Sequence, residues 1–477
     1  MEALQRARVA VVGGGIAGLA CARALLVEHP GLDVTVYEAT ARVGGKLALG
    51  EVAGVQVDLG AESMLNRRLE GTQLARSVGL ADSVVHPSVS GAGVWARGAV
   101  RPLPATVMGV PVDLSEAGRS GILSRTGLAR ALLERRLPRL DVSEDVGVGV
   151  VVARRLGREV RDLLVEPLLG GVYAGRADEI SMHAAVPELV RAVAHHGGLL
   201  AAARAVAAGA RAPGAAPAVA PVFAGIRGGV ARLPHAVVRD LEHRGAAVVT
   251  NAVVRELTRL QSGWRLTLGP AAAPTFADCD VVVVAVPAQP ASRLLLSAAP
   301  SAASELRLID YASMAVVTMA WRADQVDVDL PGTGFLVPPV DGRAVKAATY
   351  SSRKWAWLSG DVAVVRCSVG RHRDEAVLQR DDRELVETAT MDLRAATGMR
   401  APLLDAQVTR WGGALPQYAV GHVDRVRRIR AAVAEVPGLE VCGAAYDGVG
   451  IPAVIASGQA AATRVAEATA PAGTMES

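Results

Sequence analysis

Three glycines near the start of the chain have the spacing of a phosphate-binding turn. Gly13, Gly15 and Gly18 follow a β-branched run and open an apolar helix, and Glu38 lies twenty positions after the last of them. Gly13 allows a tight turn, Gly15 lets backbone approach a pyrophosphate, and Gly18 lets the helix pack closely on the strand. The helix N-terminus then binds phosphate, and the Glu38 carboxylate accepts ribose hydroxyls. We predict a dinucleotide site formed by Gly13, Gly14, Gly15, Ile16, Ala17, Gly18 and Glu38.

A second glycine pair narrows the choice of dinucleotide. Arg42, Gly44, Gly45 and Lys46 follow the acidic residue closely. An NAD-binding Rossmann domain needs no such loop, so an NAD site with a coincidental loop is the alternative. The series resembles FAD enzymes of the amine oxidase and protoporphyrinogen oxidase superfamily, in which an R-x-G-G-K/R loop runs beside the flavin. This resemblance implies FAD, with further contacts from Ala39, Arg42, Gly45, Lys46, Gly60, Ala61, Glu62 and Ser63.

The elements that position these residues form three separate pieces of chain. We predict a strand at Arg8–Val12, a helix at Ile16–Val27 and a strand at Val34–Tyr37 in the first piece. The second piece has an amphipathic helix ending at His243 and a buried strand within Asp280–Val286. The fold class is α/β, with a discontinuous Rossmann-type FAD-binding domain. Its segments are 1–79, 223–288 and 405–470. The second segment includes predicted strands around Ala247–Val254 and Trp264–Leu268. The third includes a predicted strand, turn and helix within Leu439–Ala468.

Two insertions separate these pieces and must supply the substrate pocket. Residues 80–200 read as a helical insertion, and the Ala/Pro-rich residues 201–222 read as a linker or surface loop. Residues 289–404 are predicted to form a substrate-binding α+β domain. Its predicted elements are strands at Met314–Trp321, Val345–Tyr350 and Val362–Val369 and a helix at about Glu375–Thr397.

Composition excludes several classes of function. The chain has 477 residues with a net charge of +4 that is spread along it, so nucleic-acid binding is not indicated. The four cysteines are far apart, which favours neither a zinc site nor disulfides; we expect no metal and a cytoplasmic location. A lipoprotein-like pattern ending at Cys21 is rejected because cleavage there would destroy the glycine turn. No apolar run of about 20 residues occurs, so we expect at most peripheral membrane contact.

Further motifs resemble the porphyrinogen oxidase branch of the superfamily, and they occur in that family's order. They are Arg101–Pro104 with Met108–Pro111, Glu166–Gly175, Tyr311–Ala315, Gly334–Pro339, Trp411–Gly412 with Leu415–His422, and Asp447–Pro452. In such enzymes Val254 would contact the adenine, and Trp411 would lie near the isoalloxazine. Gly450, Ile451 and Pro452 would begin a helix whose N-terminus faces the flavin pyrimidine edge.

The resemblance also implies the substrate-binding residues. Gly170 and Gly171 would let backbone approach a flat ring, and Ala347 and Tyr350 would line the same pocket. Arg97 and Arg101 are the candidates for holding substrate carboxylates, although a solvated turn explains them equally well. No catalytic base is assigned, because His183, His196 and His422 read as surface or structural histidines.

Family membership of this kind implies a six-electron oxidation of a porphyrinogen by molecular oxygen, with release of hydrogen peroxide. Coproporphyrinogen III is the first choice of substrate, as in Gram-positive-type members, and protoporphyrinogen IX is the alternative. Residues 412–422 contain no cysteine, so FAD is predicted to be non-covalent. A ferrochelatase is the expected partner in haem biosynthesis. A flavin amine oxidase, a carotenoid desaturase and a tetrapyrrole-binding chaperone or sensor remain as further alternatives.

Overall fold

The computed structural model describes residues 7–209 and 221–469, and the elements below are those of the described residues. Its strands, in chain order, are β1 (Arg8–Val12), β2 (Asp33–Tyr37), β3 (Leu49–Val52), β4 (Val55–Asp58), β5 (Met64–Leu65), β6 (Val84–Val85), β7 (Gly93–Ala96), β8 (Ala99–Pro102), β9 (Thr106–Val107), β10 (Val110–Pro111), β11 (Phe223–Ile226), β12 (Ala247–Val249), β13 (Val254–Arg259), β14 (Trp264–Leu268), β15 (Thr275–Cys279), β16 (Val281–Val284), β17 (Tyr311–Arg322), β18 (Gly334–Leu336), β19 (Val345–Tyr350), β20 (Val362–Val369), β21 (Asp405–Pro416) and β22 (Leu439–Val441).

The α-helices connect these strands or cover the sheets that the strands form. In chain order they are α1 (Ile16–Glu28), α2 (Glu70–Ala75), α3 (Leu114–Arg119), α4 (Arg125–Leu132), α5 (Val148–Leu156), α6 (Arg158–Val160), α7 (Glu166–Tyr173), α8 (Met182–Ala185), α9 (Pro187–His196), α10 (Leu199–Gly209), α11 (Arg232–His243), α12 (Ala288–Leu294), α13 (Pro300–Arg307), α14 (Ser351–Lys354), α15 (Asp382–Thr397), α16 (His422–Ala434) and α17 (Ile451–Thr469). None of the described helices is long and apolar enough to cross a bilayer.

A five-stranded parallel sheet forms the centre of the cofactor-binding part, in the order β12–β2–β1–β16–β22. Both faces of the sheet are covered. Helices α1, α11 and α17 pack on one face. The antiparallel strands β13–β15 and helices α12, α13 and α16 pack on the other. This double burial is why β16 is an unbroken run of four valines, as in other parallel sheets.

The cofactor-binding part follows the predicted pattern except at one strand. The predictions for β1, β2, β14, β16 and α11 are confirmed. The predicted strand Ala247–Val254 is wrong, because it is two strands in different sheets. Asn251 has a φ of 54°, and the N–H of Ala252 donates to the carbonyl oxygen of Glu38 at 2.8 Å. The chain therefore turns around the loop after β2 before β13 begins at Val254.

A second sheet has seven strands in the order β21–β17–β20–β19–β18–β7–β8, and only β18 and β7 are parallel to each other. Helix α15 covers one face in a core with β17, β19 and β20. The opposite face packs against β3 and β4 of the cofactor-binding part. The three strands and the helix predicted within residues 289–404 are thus confirmed as β17, β19, β20 and α15. The helix begins later than predicted because Asp381 and Glu384 form a capping box at its start.

Pairing between distant strands moves two predicted domain boundaries. Strand β21 was placed in the cofactor domain but pairs with β17, and β7 and β8 were placed in the helical insertion but form the opposite edge of the seven-stranded sheet. Of the predicted linker 201–222, residues 201–209 belong to α10, and residues 210–220 lie outside the described residues. We propose the same discontinuous division of domains with β21, β7 and β8 assigned to the substrate-binding part.

Candidate functional site

The glycine-rich turn after β1 is closed by packing at two positions and open at the third. Gly13 has a φ of +116°, and a Cβ atom there would lie 2.8 Å from the carbonyl oxygen of Ala285. A Cβ on Gly18 would lie 2.0 Å from the carbonyl oxygen of Gly13. At Gly15, by contrast, a Cβ would meet no atom within 4 Å. The turn is therefore fixed from inside the protein while Gly15 faces open space at the start of α1.

Helix α1 begins without a side-chain cap. Its N-cap is Gly15, which has no side chain to accept a hydrogen bond, and Ile16 and Ala17 form its first turn. The first N–H groups of a helix need acceptors from outside the helix and carry the positive end of its dipole. This geometry fits a phosphate of a dinucleotide.

Glu38 connects the glycine turn to the loop after β2. One carboxylate oxygen accepts the N–H of Gly14 at 2.9 Å, and the other accepts the N–H and hydroxyl of Thr40 at 2.9 and 2.8 Å. A carboxylate has about four lone-pair positions, so one remains for a ligand hydroxyl. Ala39 is exposed beside it, and Val254 lies at the start of β13 where the chain passes Glu38.

The second glycine loop packs directly on the first. The N–H of Gly44 donates to the carbonyl oxygen of Gly14 at 2.8 Å. A Cβ on Gly45, whose φ is +58°, would lie 3.4 Å from the Cα of Gly15. The two motifs that sequence placed about thirty residues apart thus form one continuous backbone surface.

Trp411 joins this surface to the seven-stranded sheet. Its indole N–H donates to the carbonyl oxygen of Leu59 at 3.0 Å, and the Arg42 guanidinium lies 5.6 Å from the centre of its ring. A Cβ on Gly60 would lie 1.9 Å from the carbonyl oxygen of Lys46 and 3.3 Å from the indole. Only glycine fits at this position. The structure therefore brings together Arg42, Lys46, Gly60 and Trp411, four of the residues predicted to contact the cofactor.

Glu62 was predicted to contact the cofactor, but its carboxylate is bound by protein cations. Its oxygens accept hydrogen bonds from Lys354 Nζ and the Arg366 guanidinium, each at 2.8 Å. Burial alone raises the pKa of Glu62, but the two cations outweigh this effect and hold that pKa well below its usual range. Arg366 also donates to the carbonyl oxygen of Gly60, so Glu62 orders the backbone at Gly60 through Arg366.

The neighbours of Glu62 complete this segment. Ser63 accepts a second hydrogen bond from Lys354 Nζ at 3.2 Å, and Ala61 is exposed. The Ser63 hydroxyl therefore already accepts a hydrogen bond from Lys354, in addition to its predicted contact with a cofactor.

The start of α17 is positioned by Tyr418. The Tyr418 hydroxyl accepts the N–H of Gly448 and donates to the carbonyl oxygen of Ala444, both at 2.7 Å. Gly450 precedes the helix, which begins at Ile451 and has Pro452 at its second position. A Cβ on Gly458 would lie 2.2 Å from the carbonyl oxygen of Ala17, so α17 packs tightly against the first turns of α1.

The predicted substrate-binding glycines lie on α7, which packs on β18 and β19. A Cβ on Gly171 would lie 3.6 Å from the side chain of Leu336, and a Cβ on Gly170 meets only the Gly175 carbonyl oxygen at 3.9 Å. Leu336 pairs with Ala347 across the two strands. The side chains between α7 and this part of the sheet are therefore small at Gly170, Gly171 and Ala347.

Tyr350 does not share the face of Ala347. Residues three apart on a strand point to opposite sides of the sheet. Tyr350 is 2% exposed and packs in the core under α15, with its ring centre 6.1 Å from that of Phe335. We therefore correct the prediction that Tyr350 lines the substrate pocket.

Arg97 and Arg101 lie at the opposite edge of the seven-stranded sheet from Trp411. They flank the turn between β7 and β8, and six strand spacings of ~4.8 Å separate β8 from β21. Arg97 donates to the carbonyl oxygen of Ile122 at 3.1 Å and lies 3.4 Å from Glu159. Arg101 donates to the carbonyl oxygen of Ala96 at 3.0 Å. The prediction that these arginines hold substrate carboxylates is not supported by this geometry.

The histidines offer no base. His422 is 1% exposed and stacks on Tyr418 with 3.9 Å between ring centres. Burial, assisted by Arg425, lowers the pKa of His422 to about 4, so its ring is neutral near pH 7. His183 donates from its ring to the carbonyl oxygen of Val142 at 2.8 Å. His196 ends α9 in contact with His195.

Sequence reasoning missed two cations near Ala347. Lys346 is 4% exposed, and the guanidinium of Arg371 donates to the carbonyl oxygens of Val337 and Arg343 at 3.2 and 3.3 Å. The available signal was a lysine inside an otherwise apolar strand, in a chain with only three lysines.

Comparison with known proteins adds full-length similarities. Residues 16–466 match the sequence model of a family described as flavin containing amine oxidoreductase. The chain is 36% identical over 473 residues to the coproporphyrinogen III oxidase of Mycobacterium tuberculosis strain H37Rv, covering 96% of this chain and 97% of that protein. It is 29% identical over 460 residues to the coproporphyrinogen III oxidase of Bacillus subtilis strain 168, covering 95% and 96%.

A solved structure is similar over the same length. The crystal structure of a protein from Exiguobacterium sp. 255-15, assigned as a protoporphyrinogen oxidase, has a TM-score of 0.84 and 29% identity. The similarity covers 97% of this chain and 99% of that one. The likeness thus spans both the cofactor-binding and the substrate-binding parts.

Proposed function

The chain belongs to the family of flavin-containing amine oxidoreductases, and we propose that within this family it is a coproporphyrinogen III oxidase. It would convert coproporphyrinogen III to coproporphyrin III in haem biosynthesis. The observation that carries this proposal is the 36% identity to the M. tuberculosis enzyme with 97% of that protein covered. Similarity of this extent includes the pocket-forming insertions and not only the cofactor domain.

The flavin is proposed to be FAD. The uncapped start of α1, the open space at Gly15 and the remaining acceptor position of Glu38 fit a pyrophosphate and a ribose. Arg42, Lys46, Gly60 and Trp411 fit the neighbourhood of the ring system. The second glycine loop on the same surface supports FAD over NAD.

Binding is proposed to be non-covalent. The four cysteines, Cys21, Cys279, Cys367 and Cys442, are all buried. Burial raises the pKa of the Cys279 thiol to about 12, and burial also raises that of Cys367. Such thiols are poor nucleophiles toward a ring methyl group.

Bound FAD supplies a two-electron acceptor that takes a hydride from carbon. The chain's own contribution is to hold a flat macrocycle between α7 and the strands β18 and β19. Gly171 and Ala347 provide backbone and small side chains where bulk would collide with the ring. A porphyrinogen becomes aromatic on oxidation, so correct positioning can replace a protein base.

Molecular oxygen is the proposed final oxidant. Each of three two-electron steps would reduce one oxygen molecule to hydrogen peroxide, so that six hydrogens leave the porphyrinogen as three peroxides. We expect a cytoplasmic enzyme whose product passes to a ferrochelatase. Protoporphyrinogen IX is a second candidate substrate, because the Exiguobacterium protein assigned to that activity has the same fold over its whole length.

Amine oxidation is less well supported by the side chains. An amine oxidase needs paired aromatic rings that face the flavin. The rings of Tyr418 and Tyr446 are buried, and the Tyr418 hydroxyl is bound to Ala444 and Gly448. The Tyr418 hydroxyl thus stabilises the turn before α17, which supports a porphyrinogen over an amine as the substrate.

An anaerobic titration tests the reaction class. We expect coproporphyrinogen III to bleach the flavin absorbance of the purified holoprotein, and putrescine or benzylamine to leave it oxidised. Bleaching by an amine and not by the porphyrinogen would contradict the proposal and identify the protein as an amine oxidase. Bound FAD that no porphyrinogen bleaches would favour a binding protein.

A further inference from the structure

A lysine in the middle of β19 faces the same side of the sheet as the flavin-binding residues. A bulge in the pairing of β19 with β20 lies between Val345 and Ala347 and includes Lys346. The Lys346 Nζ atom lies 3.9 Å from the sulfur of Met314. Met314 pairs with Trp411 across β17 and β21. Lys346, Met314 and Trp411 therefore follow one another across the sheet toward the cofactor.

This lysine has no carboxylate partner among the described residues. Its Nζ contacts only a thioether, although the side chain is 4% exposed. Lys354, which is 6% exposed, is by contrast paired with a carboxylate, because its Nζ lies 2.8 Å from Glu62 Oε1. A buried ammonium without a counterion is costly, and burial, together with the Arg371 guanidinium, lowers the pKa of Lys346 to about 7.

Arg371 adds a second cation without neutralising the first. It is partly buried, its guanidinium donates to two backbone carbonyl oxygens, and burial lowers its pKa. The acidic side chains that act on the Arg371 guanidinium form no ion pair with it among the described residues. Asp392 accepts Arg343 at 3.0 Å, while Glu166 and Asp374 make no ion pair with Arg371 within 4 Å among the described residues. Arg371 binds the carbonyl oxygen of Val337, whose N–H donates to the carbonyl oxygen of Lys346, so the two cations lie close together beside β18 and β19, on which α7 packs.

We propose that Lys346, with Arg371 beside it, binds a propionate carboxylate of the tetrapyrrole. This inference rests on the proposed function and adds the anchor that Arg97 and Arg101 do not supply. A buried carboxylate requires a charged partner, and a lysine and an arginine together can donate to both of its oxygens. The same anion would supply the counterion that the protein itself does not provide to Lys346.

Equilibrium binding of the product tests the inference without turnover. The FAD-loaded wild type and the variants Lys346→Met and Lys346→Arg are titrated with coproporphyrin III and with its tetramethyl ester, using quenching of porphyrin fluorescence. Methionine keeps the length of the lysine stem and removes its charge. We expect Lys346→Met to bind the acid about tenfold more weakly, as for a lost charged hydrogen bond. The ester should bind wild type and Lys346→Met alike, and Lys346→Arg should stay within about threefold of wild type for the acid.

The outcomes separate the inference from the proposed function. Unchanged affinity of Lys346→Met for the acid, or equal losses for acid and ester, would overturn the carboxylate contact while porphyrinogen oxidation by the wild type persists. A wild type that neither binds the porphyrin nor oxidises the porphyrinogen overturns the proposed function itself. Flavin content is measured on each variant, and if Lys346→Met loses FAD, Lys346→Gln replaces it under the same criteria.

Discussion

Glu62 and Lys354 form an ion pair with 2.8 Å between Oε1 and Nζ that joins the cofactor-binding part to the seven-stranded sheet. Glu62 follows β4, and Lys354 ends α14 between β19 and β20. Because Arg366 binds the other carboxylate oxygen, two buried cations share one buried anion. Gly60, which is predicted to contact the flavin, is fixed by this group through the Arg366 contact to its carbonyl oxygen.

Glu62→Gln should destabilise the protein strongly. The substitution leaves Lys354 and Arg366 buried without a countercharge, which typically costs about 3–5 kcal/mol. Denaturant unfolding, followed with the flavin content, measures the loss. The exposed pair of Arg383 and Glu387 provides the control, since Glu387→Gln should cost less than about 1 kcal/mol. Equal small losses for both variants would show that the buried pair is not essential.

The Glu62 carboxylate should also contribute to the pH dependence of the free energy of unfolding. The folded-state pKa of Glu62 is lower than its ordinary value of 4.5, so its stabilisation is fully present above that value and is lost as the pH falls below it. Subtracting the unfolding free energies of Glu62→Gln from those of the wild type isolates this contribution. We expect the difference to decrease as the pH falls below about 4.5. A difference that is constant through this range would contradict the depressed pKa.

Gly60→Ala should reduce flavin retention and stability. A Cβ there would lie 1.9 Å from the carbonyl oxygen of Lys46, so the backbone beside the flavin must move, at a cost of about 1–3 kcal/mol. Gly31→Ala is the matched control, because a Cβ at Gly31 meets no atom within 4 Å. Flavin absorbance per protein and the unfolding midpoint test both variants. Full flavin content in Gly60→Ala would indicate that this loop does not contact the cofactor.

Arg42→Ala should weaken FAD binding about tenfold, the loss typical of a charged hydrogen bond. Its guanidinium lies against the Trp411 ring on the predicted flavin-binding face. Titration of the apoprotein with FAD, followed by flavin fluorescence, gives the dissociation constant. Arg383→Ala removes an arginine that is 83% exposed on α15 and should leave the constant unchanged. Equal constants for the wild type and Arg42→Ala would remove Arg42 from the site.

Ala347→Leu and Tyr350→Phe distinguish the two faces of β19. Leucine at 347 adds bulk on the side of the sheet that faces α7, the proposed substrate site, and should raise the KM for coproporphyrinogen III about tenfold or more, as overpacking of about 1–3 kcal/mol implies, without loss of flavin. Tyr350→Phe changes a side chain in the core under α15 and should leave KM unchanged. Steady-state kinetics with both variants test this assignment. A large increase in KM for Tyr350→Phe alone would support the original prediction that Tyr350 lines the substrate pocket.

Local patterns predicted the cofactor-binding part well. The glycine spacing, the apolar run at β16 and the amphipathic pattern of α11 each depend on neighbours within one element. Pairing between distant strands was not predictable in this way. Strand β21 pairs with β17 almost a hundred residues earlier, and β7 pairs with β18 more than two hundred residues later, so periodicity alone could not assign them to one sheet.

Predictions of individual site residues likewise failed where they depended on residues distant in sequence. Gly60 and Trp411 came together as the resemblance implied, whereas Arg97 and Arg101 were placed by their proximity to a motif and lie at the far edge of the sheet. The resemblance implies a cofactor contact for Glu62, and the sequence does not reveal its partners Lys354 and Arg366, which are about three hundred residues away. The function of a charged residue therefore depended on partners that only the folded chain brings into contact.

The most direct test of the account is the aerobic oxidation of the two porphyrinogens by the purified FAD-loaded protein, followed by porphyrin fluorescence with peroxide measured in parallel. We predict a higher kcat/KM for coproporphyrinogen III than for protoporphyrinogen IX, with about three peroxides per porphyrin because each flavin cycle removes two electrons. A preference for protoporphyrinogen IX would keep the chemistry and change the substrate. Failure to oxidise either ring would contradict the central claim.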